Sequence, residues 1–487
     1  MTAIPLRLAA ARGIRWTGFA SVATASLALL QLIVLTRLLK PEDFGLVGMM
    51  TVFITFAQAF ADLGFSNAII HRPDPSREQL STLYCANLLA GTGIYVLFVL
   101  GAPWIARFYS EPRLHPLLLW MALSFVITPL GQQFQVLMQK QHDFNRFAKV
   151  EVATALLSTL IAIAAAIAGQ GVYALVWAHL AAALTRAGLL IALEWSHWRP
   201  TLRLRYSELR GYLGFGLYQI GERGFNHLAT NVDYLIIGRF LGPELLGYYV
   251  LAYQLVTTPF LRINPILTRV AFPVFALRQS DDALLRRGYL DMIRLLALVL
   301  FPILVGLGLT APLLVAGIFG ASWQPSIPLI QILVLLGLTK GLLNPSGTIL
   351  LAKGRADIGF LWNLLVMTVN TVVFLSTVRF GITTLAWAHA GLCAVYLMIG
   401  LGILRSLIAL SFREFAANLV RPLLTSLGMA LVVLACLRYL GPRGLDPAAA
   451  LAISALTGAA AYAAILFALE RKFLTDQWRL LVSSRAP

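Results

Sequence analysis

Ionisable side chains stand inside stretches of sequence that are otherwise apolar: Asp62, Arg186, Glu222, Arg223, Asp233, Arg262 and Lys340. Asn87, Asn226, His227, Asn231, Asn363 and Asn370 accompany them. Placing an ionisable group in hydrocarbon costs at least about 2.5–3.5 kcal/mol, so each needs a partner, water or a task. The densest group is Gly221-Glu222-Arg223-Gly224-Phe225-Asn226-His227, with Asn231 and Asp233 close behind. At the helical period Arg223, Asn226 and His227 share a face, and so polar a face must meet water or protein. Cations converging on one solvated cavity, namely Arg186, Arg223, Arg262 and Lys340, would form an anion site suited to phosphate or pyrophosphate, with Asn226 and His227 beside them. The acids Asp62, Glu222 and Asp233 would pair with those cations or hold a coupling proton or sodium ion. A Glu222–Arg223 or Asp–Arg network that only fastens helices is the plainer alternative, and Arg262 lies near enough to a span end to snorkel.

Other chemistries lack their residues. No P-loop, HExxH, CxxC or GxSxG occurs, so ATPase, metalloprotease and serine-hydrolase readings have no support. His179 and His389 have no second ligand three or four residues away and read as core histidines, not metal ligands. No metal and no cofactor is expected. Cys85, Cys393 and Cys436 all fall in apolar runs, which speaks against a disulfide framework.

The elements that must position these groups follow from composition. Of 487 residues, 59% are hydrophobic and 12% charged, and the mean hydropathy is +0.80. Soluble domains carry roughly 25% charged residues. Continuous apolar runs of the roughly 20 residues that cross about 30 Å of hydrocarbon recur throughout, so the chain reads as an all-α integral membrane protein. Fourteen spans are expected, near 13–39, 44–70, 81–105, 115–138, 150–168, 172–194, 211–238, 245–270, 291–317, 327–352, 358–378, 382–404, 421–440 and 448–469. The first is too long for a signal-peptide core. With the N-terminus inside, the loops divide 26 Lys and Arg to the inner side and 8 to the outer, which places both termini in the cytoplasm. The net charge of +17 therefore orients helices and does not signal nucleic-acid binding.

The sequence also repeats. Arg37-Leu-Leu-Lys-Pro41-Glu42-Asp-Phe-Gly45 returns as Arg239-Phe-Leu-Gly-Pro243-Glu244-Leu-Leu-Gly247, 202 residues on. Gly171-Val-Tyr-Ala-Leu-Val-Trp-Ala-His179 returns as Gly381-Ile-Thr-Thr-Leu-Ala-Trp-Ala-His389, 210 residues on. A weaker match aligns Leu137–Lys140 with Leu350–Lys353. Two parallel six-helix repeats plus two C-terminal helices result, with an N-terminal lobe over 1–200, a C-terminal lobe over 201–410, and the added helices and tail over 411–487. Parallel repeats of this kind mark transporters, whose site lies between the halves near mid-membrane. The Pro-Glu corners read as helix starts, with the proline in the first turn and the acid complementing the dipole.

The stretch Thr36–Gly48, with Phe60-Ala-Asp-Leu-Gly-Phe-Ser66, Asp233–Gly242 and Leu246-Gly-Tyr-Tyr249, resembles the Wzx-type polysaccharide flippases of the multidrug/oligosaccharidyl-lipid/polysaccharide superfamily. The resemblance implies a non-enzymatic protein of the bacterial inner membrane. Such a protein turns undecaprenyl-pyrophosphate-linked oligosaccharide from the cytoplasmic to the periplasmic leaflet by alternating access around a cationic cavity. Membrane lipids and the polysaccharide polymerase machinery are the implied partners. Arg223, Arg262 and Lys340 would then meet the head group, and spans 421–440 and 448–469 would cradle the polyprenyl chain. A cation-coupled drug antiporter of the same superfamily is the first rival. A membrane glycosyltransferase or ligase is the second, disfavoured by short external loops.

Overall fold

Lipid-facing backbone must satisfy its own hydrogen bonds, and every regular element among the described residues is helical. The computed structural model describes residues 6–61, 76–141, 143–201 and 205–483. In chain order the helices are α1 (Leu6–Leu38), α2 (Pro41–Ala61), α3 (Arg77–Tyr109), α4 (Leu114–Ala122), α5 (Ser124–Lys140), α6 (Phe144–Ile167) and α7 (Tyr173–Glu194). They continue as α8 (Tyr206–Leu277), α9 (Asp282–Leu314), α10 (Ser326–Leu343), α11 (Ser346–Ala352), α12 (Ala356–Thr377), α13 (Ile382–Ile408), α14 (Phe412–Leu440) and α15 (Pro447–Ser483). Twelve described helices are long and apolar enough to cross a bilayer. Most of the expected eighth span and the end of the expected seventh, 230–238, share one such stretch, Thr230–Thr268, because α8 runs through their junction and breaks only at Gly242, where φ is 83°. The end of the expected second span, 62–70, lies outside the described residues.

Local chemistry sets the helix starts. Ser76 and Gln79 form a reciprocal capping box ahead of α3, and Ser411 and Glu414 do the same for α14. Asp143 and Asp281 cap α6 and α9 through single side-chain bonds to backbone N–H groups. At the two repeated corners proline opens the following segment, but the turns differ. Lys40 donates its N–H to the Asp43 carboxylate at 3.0 Å, whereas the second copy has Gly242 at the same place in the motif, in a left-handed conformation. The expected tenth span divides into α10 and α11 at Asn344-Pro345, since proline lacks the N–H that would continue the ladder.

The chain divides into two compact units, Met1–Gly247 and Tyr248–Pro487. In the first, α6 lies on α1 and α7, while α5 lies on α3 and α7. Pro129 cannot bond the Phe125 carbonyl four residues back, and that oxygen instead faces Gly91 of α3, 2.1 Å from where a Cβ would stand. The core there joins Leu83, Tyr84, Phe134, Leu190 and Trp198, with Phe134 and Trp198 ring centroids 5.2 Å apart. In the second unit α9 is central and meets α10, α14 and α15. A separate core joins Leu285, Tyr289 and Ile293 of α9 to Leu404 of α13. The C-terminal helices are fastened to α9 by polar bonds as well. Arg294 pairs with the fully buried Glu470 at 2.5 Å, Asn418 donates to the Leu290 carbonyl at 2.7 Å, and Tyr462 donates to the Leu298 carbonyl. Large apolar side chains such as Leu97, Leu100, Leu361 and Leu456 are more than half exposed, as they must be where lipid is the solvent.

Candidate functional site

Helix α5 carries the most consequential polar pattern among the described residues. Thr128, Gln132, Gln135 and Gln139 recur at the helical period and lie along one stripe. The opposite side buries Phe134 and Met138 completely, which fixes the rotation of the helix about its axis. Gly131 then lets α5 approach α7: a Cβ there would lie 2.6 Å from the Ala187 Cα. The result is a cavity of about 310 Å³ in the first unit, whose polar wall is Gln58 of α2, the α5 stripe and Arg186 of α7. Phe125, Pro129 and Leu190 supply apolar wall between them.

Arg186, expected on the anion site, does line this cavity. Its Nη2 lies 3.3 Å from Glu151 Oε1 on α6, so its charge is shared with an acid. Its Nε is buried and has no hydrogen-bond partner. Among the described lining residues Arg186 is the only charged one.

Lys340 sits in the second unit on α10. Its Nζ donates to Tyr253 Oη at 2.7 Å and lies 5.3 Å from the Tyr253 ring centroid. Tyr253 stacks against Tyr249 and His389, and Tyr249 Oη is 2.8 Å from His389 Nδ1. His389 is buried under Phe374 as well, which makes it the packed, hydrogen-bonded histidine the sequence suggests. Arg262 is exposed on α8. Asp233 is buried, and its Oδ1 accepts the Tyr234 N–H at 2.9 Å. The His227 carbonyl accepts from Asn231 Nδ2 at 2.8 Å. Glu222, Arg223 and Asn226 fall on α8, but their side chains lie outside the described residues, as does Asp62 altogether. Among the described residues no His, Cys, Asp and Glu cluster fit for a metal is found.

Sequence reasoning passed over the glutamine stripe, Glu151 and Tyr253. A signal for the stripe existed, because uncharged amides at helical spacing inside an apolar run are periodic in the same sense as charges.

At the first repeated corner Glu42 accepts from Arg113 Nη2 at 2.6 Å, and Glu111 accepts from Arg113 Nε at 2.8 Å. The bond from Arg113 holds the Glu111 carboxyl below its ordinary range. Glu42 thus has an ion-pair partner in addition to the helix dipole.

The sequence matches the model of a family described as "Polysaccharide biosynthesis protein" over residues 34–328. It is 34% identical over 474 residues to the teichuronic acid biosynthesis protein TuaB of Bacillus subtilis (strain 168), covering 97% of this chain and 98% of that one. It is 32% identical over 369 residues to the lipopolysaccharide biosynthesis protein WzxC of Escherichia coli (strain K12), covering 76% of this chain and 74% of that one. Among solved structures, the lipid II flippase MurJ in an inward closed conformation superposes with a TM-score of 0.74 at 13% identity, over 95% of this chain and 99% of the other. An inward-facing multidrug resistance MATE family transporter of the MOP superfamily gives 0.63 at 14% identity, over 80% and 98%. At these identities the structural likeness speaks for the fold.

Proposed function

The chain belongs to the polysaccharide biosynthesis protein family, and we propose that it is a flippase that carries undecaprenyl-pyrophosphate-linked oligosaccharide from the cytoplasmic to the periplasmic leaflet. It is a multi-pass membrane protein with the fold of MOP-superfamily transporters. The observation that carries the reading is the polar cavity set among bilayer-length helices of the first unit. A lipid head group bearing sugars needs a water-accessible, hydrogen-bonding path through hydrocarbon, because its hydroxyls and phosphates cannot cross unsolvated. The relatives named for teichuronic acid and lipopolysaccharide biosynthesis support a surface polysaccharide as the end product.

In this reading Arg223, Arg262 and Lys340 hold the pyrophosphate, and Arg186 meets the sugar from the cavity wall. Guanidinium and ammonium groups suit that anion because their hydrogen bonds to phosphate oxygens are charge-assisted. Asp62, Glu222 and Asp233 pair with cations between transport events or take up a coupling ion. The two repeats alternate in exposing the site, α14 and α15 accept the polyprenyl chain, and both termini face the cytoplasm of a bacterial inner membrane. Membrane lipids and the polymerase that consumes the flipped substrate are the partners. The protein performs no bond chemistry.

The test is exposure in proteoliposomes. A polyprenyl-pyrophosphate oligosaccharide is placed in one leaflet and its appearance in the other is followed with an impermeant glycosidase or lectin. Protein-dependent exposure that is lost in Lys340→Gln supports the reading. Exposure equal to that of empty liposomes, with folded protein and several glycans, overturns it in favour of an ion-coupled antiporter.

A further inference from the structure

The composition of the cavity wall specifies more than a path. A site for an anion presents donors: guanidinium, ammonium and backbone N–H groups. The first unit's cavity instead presents Gln58, Gln132, Gln135 and Gln139, each with a carbonyl acceptor and an NH₂ donor, together with the Thr128 hydroxyl. Amide carbonyls set against phosphate or carboxylate oxygens would repel them. Sugar hydroxyls are donor and acceptor at once, so each can bridge the two halves of an amide. Among the described lining residues the one charged side chain, Arg186, is already shared with Glu151 at 3.3 Å, and its buried Nε remains as a further donor without a partner. Phe125, Pro129 and Leu190 add an apolar surface on which the C–H face of a sugar ring can lie. The volume, about 310 Å³, is at the small end of the roughly 300–1,000 Å³ typical of ligand sites, which fits a short saccharide and not a whole lipid-linked molecule.

We infer that this cavity is a saccharide subsite that selects uncharged, hydroxyl- or acetamido-bearing sugars, with Gln132 and Gln135 as its specificity-determining residues. The inference rests on the flippase reading for its biological setting but not for its ligand chemistry. The amide stripe grips the glycan, and the anionic linkage is held elsewhere.

Saturation-transfer NMR on the full chain in detergent micelles tests it, with two soluble trisaccharides free of lipid and phosphate: one of N-acetylhexosamines, one of uronic acids. The expected result is transfer to the neutral trisaccharide in wild type and binding weaker by about tenfold or more in Gln132→Leu/Gln135→Leu, as the loss of two neutral hydrogen bonds requires. If the double variant does not fold, Gln58→Leu, from a different helix, reads the same loss. No transfer to the neutral trisaccharide, tighter binding of the uronate, or equal binding by wild type and variant overturns the inference. The proteoliposome assay run on the same preparation separates the two claims. Sugar binding without exposure leaves the subsite standing and removes the flippase reading; exposure without neutral-sugar binding does the reverse.

Discussion

The carbonyl oxygen of Pro243 lies 1.7 Å from the point where a Cβ on Gly45 would stand. The relation is returned by the other copy of the motif, in which the Pro41 carbonyl oxygen lies 1.9 Å from the Cβ position of Gly247. Both obstructing atoms are backbone, so neither can swing aside. Gly45→Ala or Gly247→Ala must therefore push the two segments apart, at a cost of about 1–3 kcal/mol or more. Thermal unfolding in detergent should fall for each variant, while Gly93→Ala, with open space around its Cβ position, should not lower it.

Arg294 and Glu470 form a buried ion pair that ties α9 to α15. Removing one partner strands the other charge, so Glu470→Leu and Arg294→Met should each cost about 3–5 kcal/mol. The double variant Arg294→Met/Glu470→Leu leaves no stranded charge and should recover most of that loss. Melting temperatures of the two single variants and the double variant decide it; strict additivity would rule out the pairing as the cause.

Arg186 and Glu151 are partly exposed, so their pair contributes at most about 1 kcal/mol to stability. Glu151→Gln should melt within a few degrees of wild type. Its effect should appear in transport, because the freed Arg186 charge changes the cavity: flipping of a neutral glycan should slow several-fold. A large drop in melting temperature would show that the pair fastens helices instead.

Tyr253 and Lys340 give a pair of variants with opposite expectations. Tyr253→Phe keeps the ring beneath the ammonium and loses one hydrogen bond, so flipping should fall less than about tenfold. Lys340→Gln removes the charge and should abolish flipping while leaving membrane insertion and yield intact. Wild-type flipping in Lys340→Gln would sink its assignment to the head group.

The Arg113 bond lowers the Glu111 carboxyl from its ordinary 4.5. A depressed folded-state value means stability that is present above the unfolded value and lost as pH falls through the folded one. The difference in melting temperature between wild type and Glu111→Gln should be constant from pH 7 to about 5 and shrink below about 4. A difference unchanged down to pH 3 would exclude the ion pair as its source.

Much of this was legible in the sequence because it depends on local pattern. Apolar run length gives the helices, Pro41 and Pro243 mark starts, and the motif at Arg37 recurs at Arg239, whereas the break at Pro345 falls inside a span expected to be continuous over 327–352. The partners of buried charges were not legible. Lys340 meets Tyr253 from 87 residues away and Arg186 meets Glu151 on a neighbouring helix, and no spacing rule encodes such pairings. Glu151 and Glu470 sit at the ends of expected spans, where an acid reads as solvated. The glutamines escaped notice because attention to ionisable groups passes over amides, whose desolvation cost is smaller yet still demands hydrogen bonds.

The reciprocal seating of each motif's glycine on the other's proline has a historical meaning. A contact in which patch A meets patch B and patch B meets patch A in the same way is the self-complementary kind found across the two-fold axis of identical subunits. Such a contact is one that two separate copies of a single repeat would make with each other. Separately expressed halves, 1–200 and 201–487, should then find one another through this corner, and co-purification of the two would be lost with Gly45→Ala.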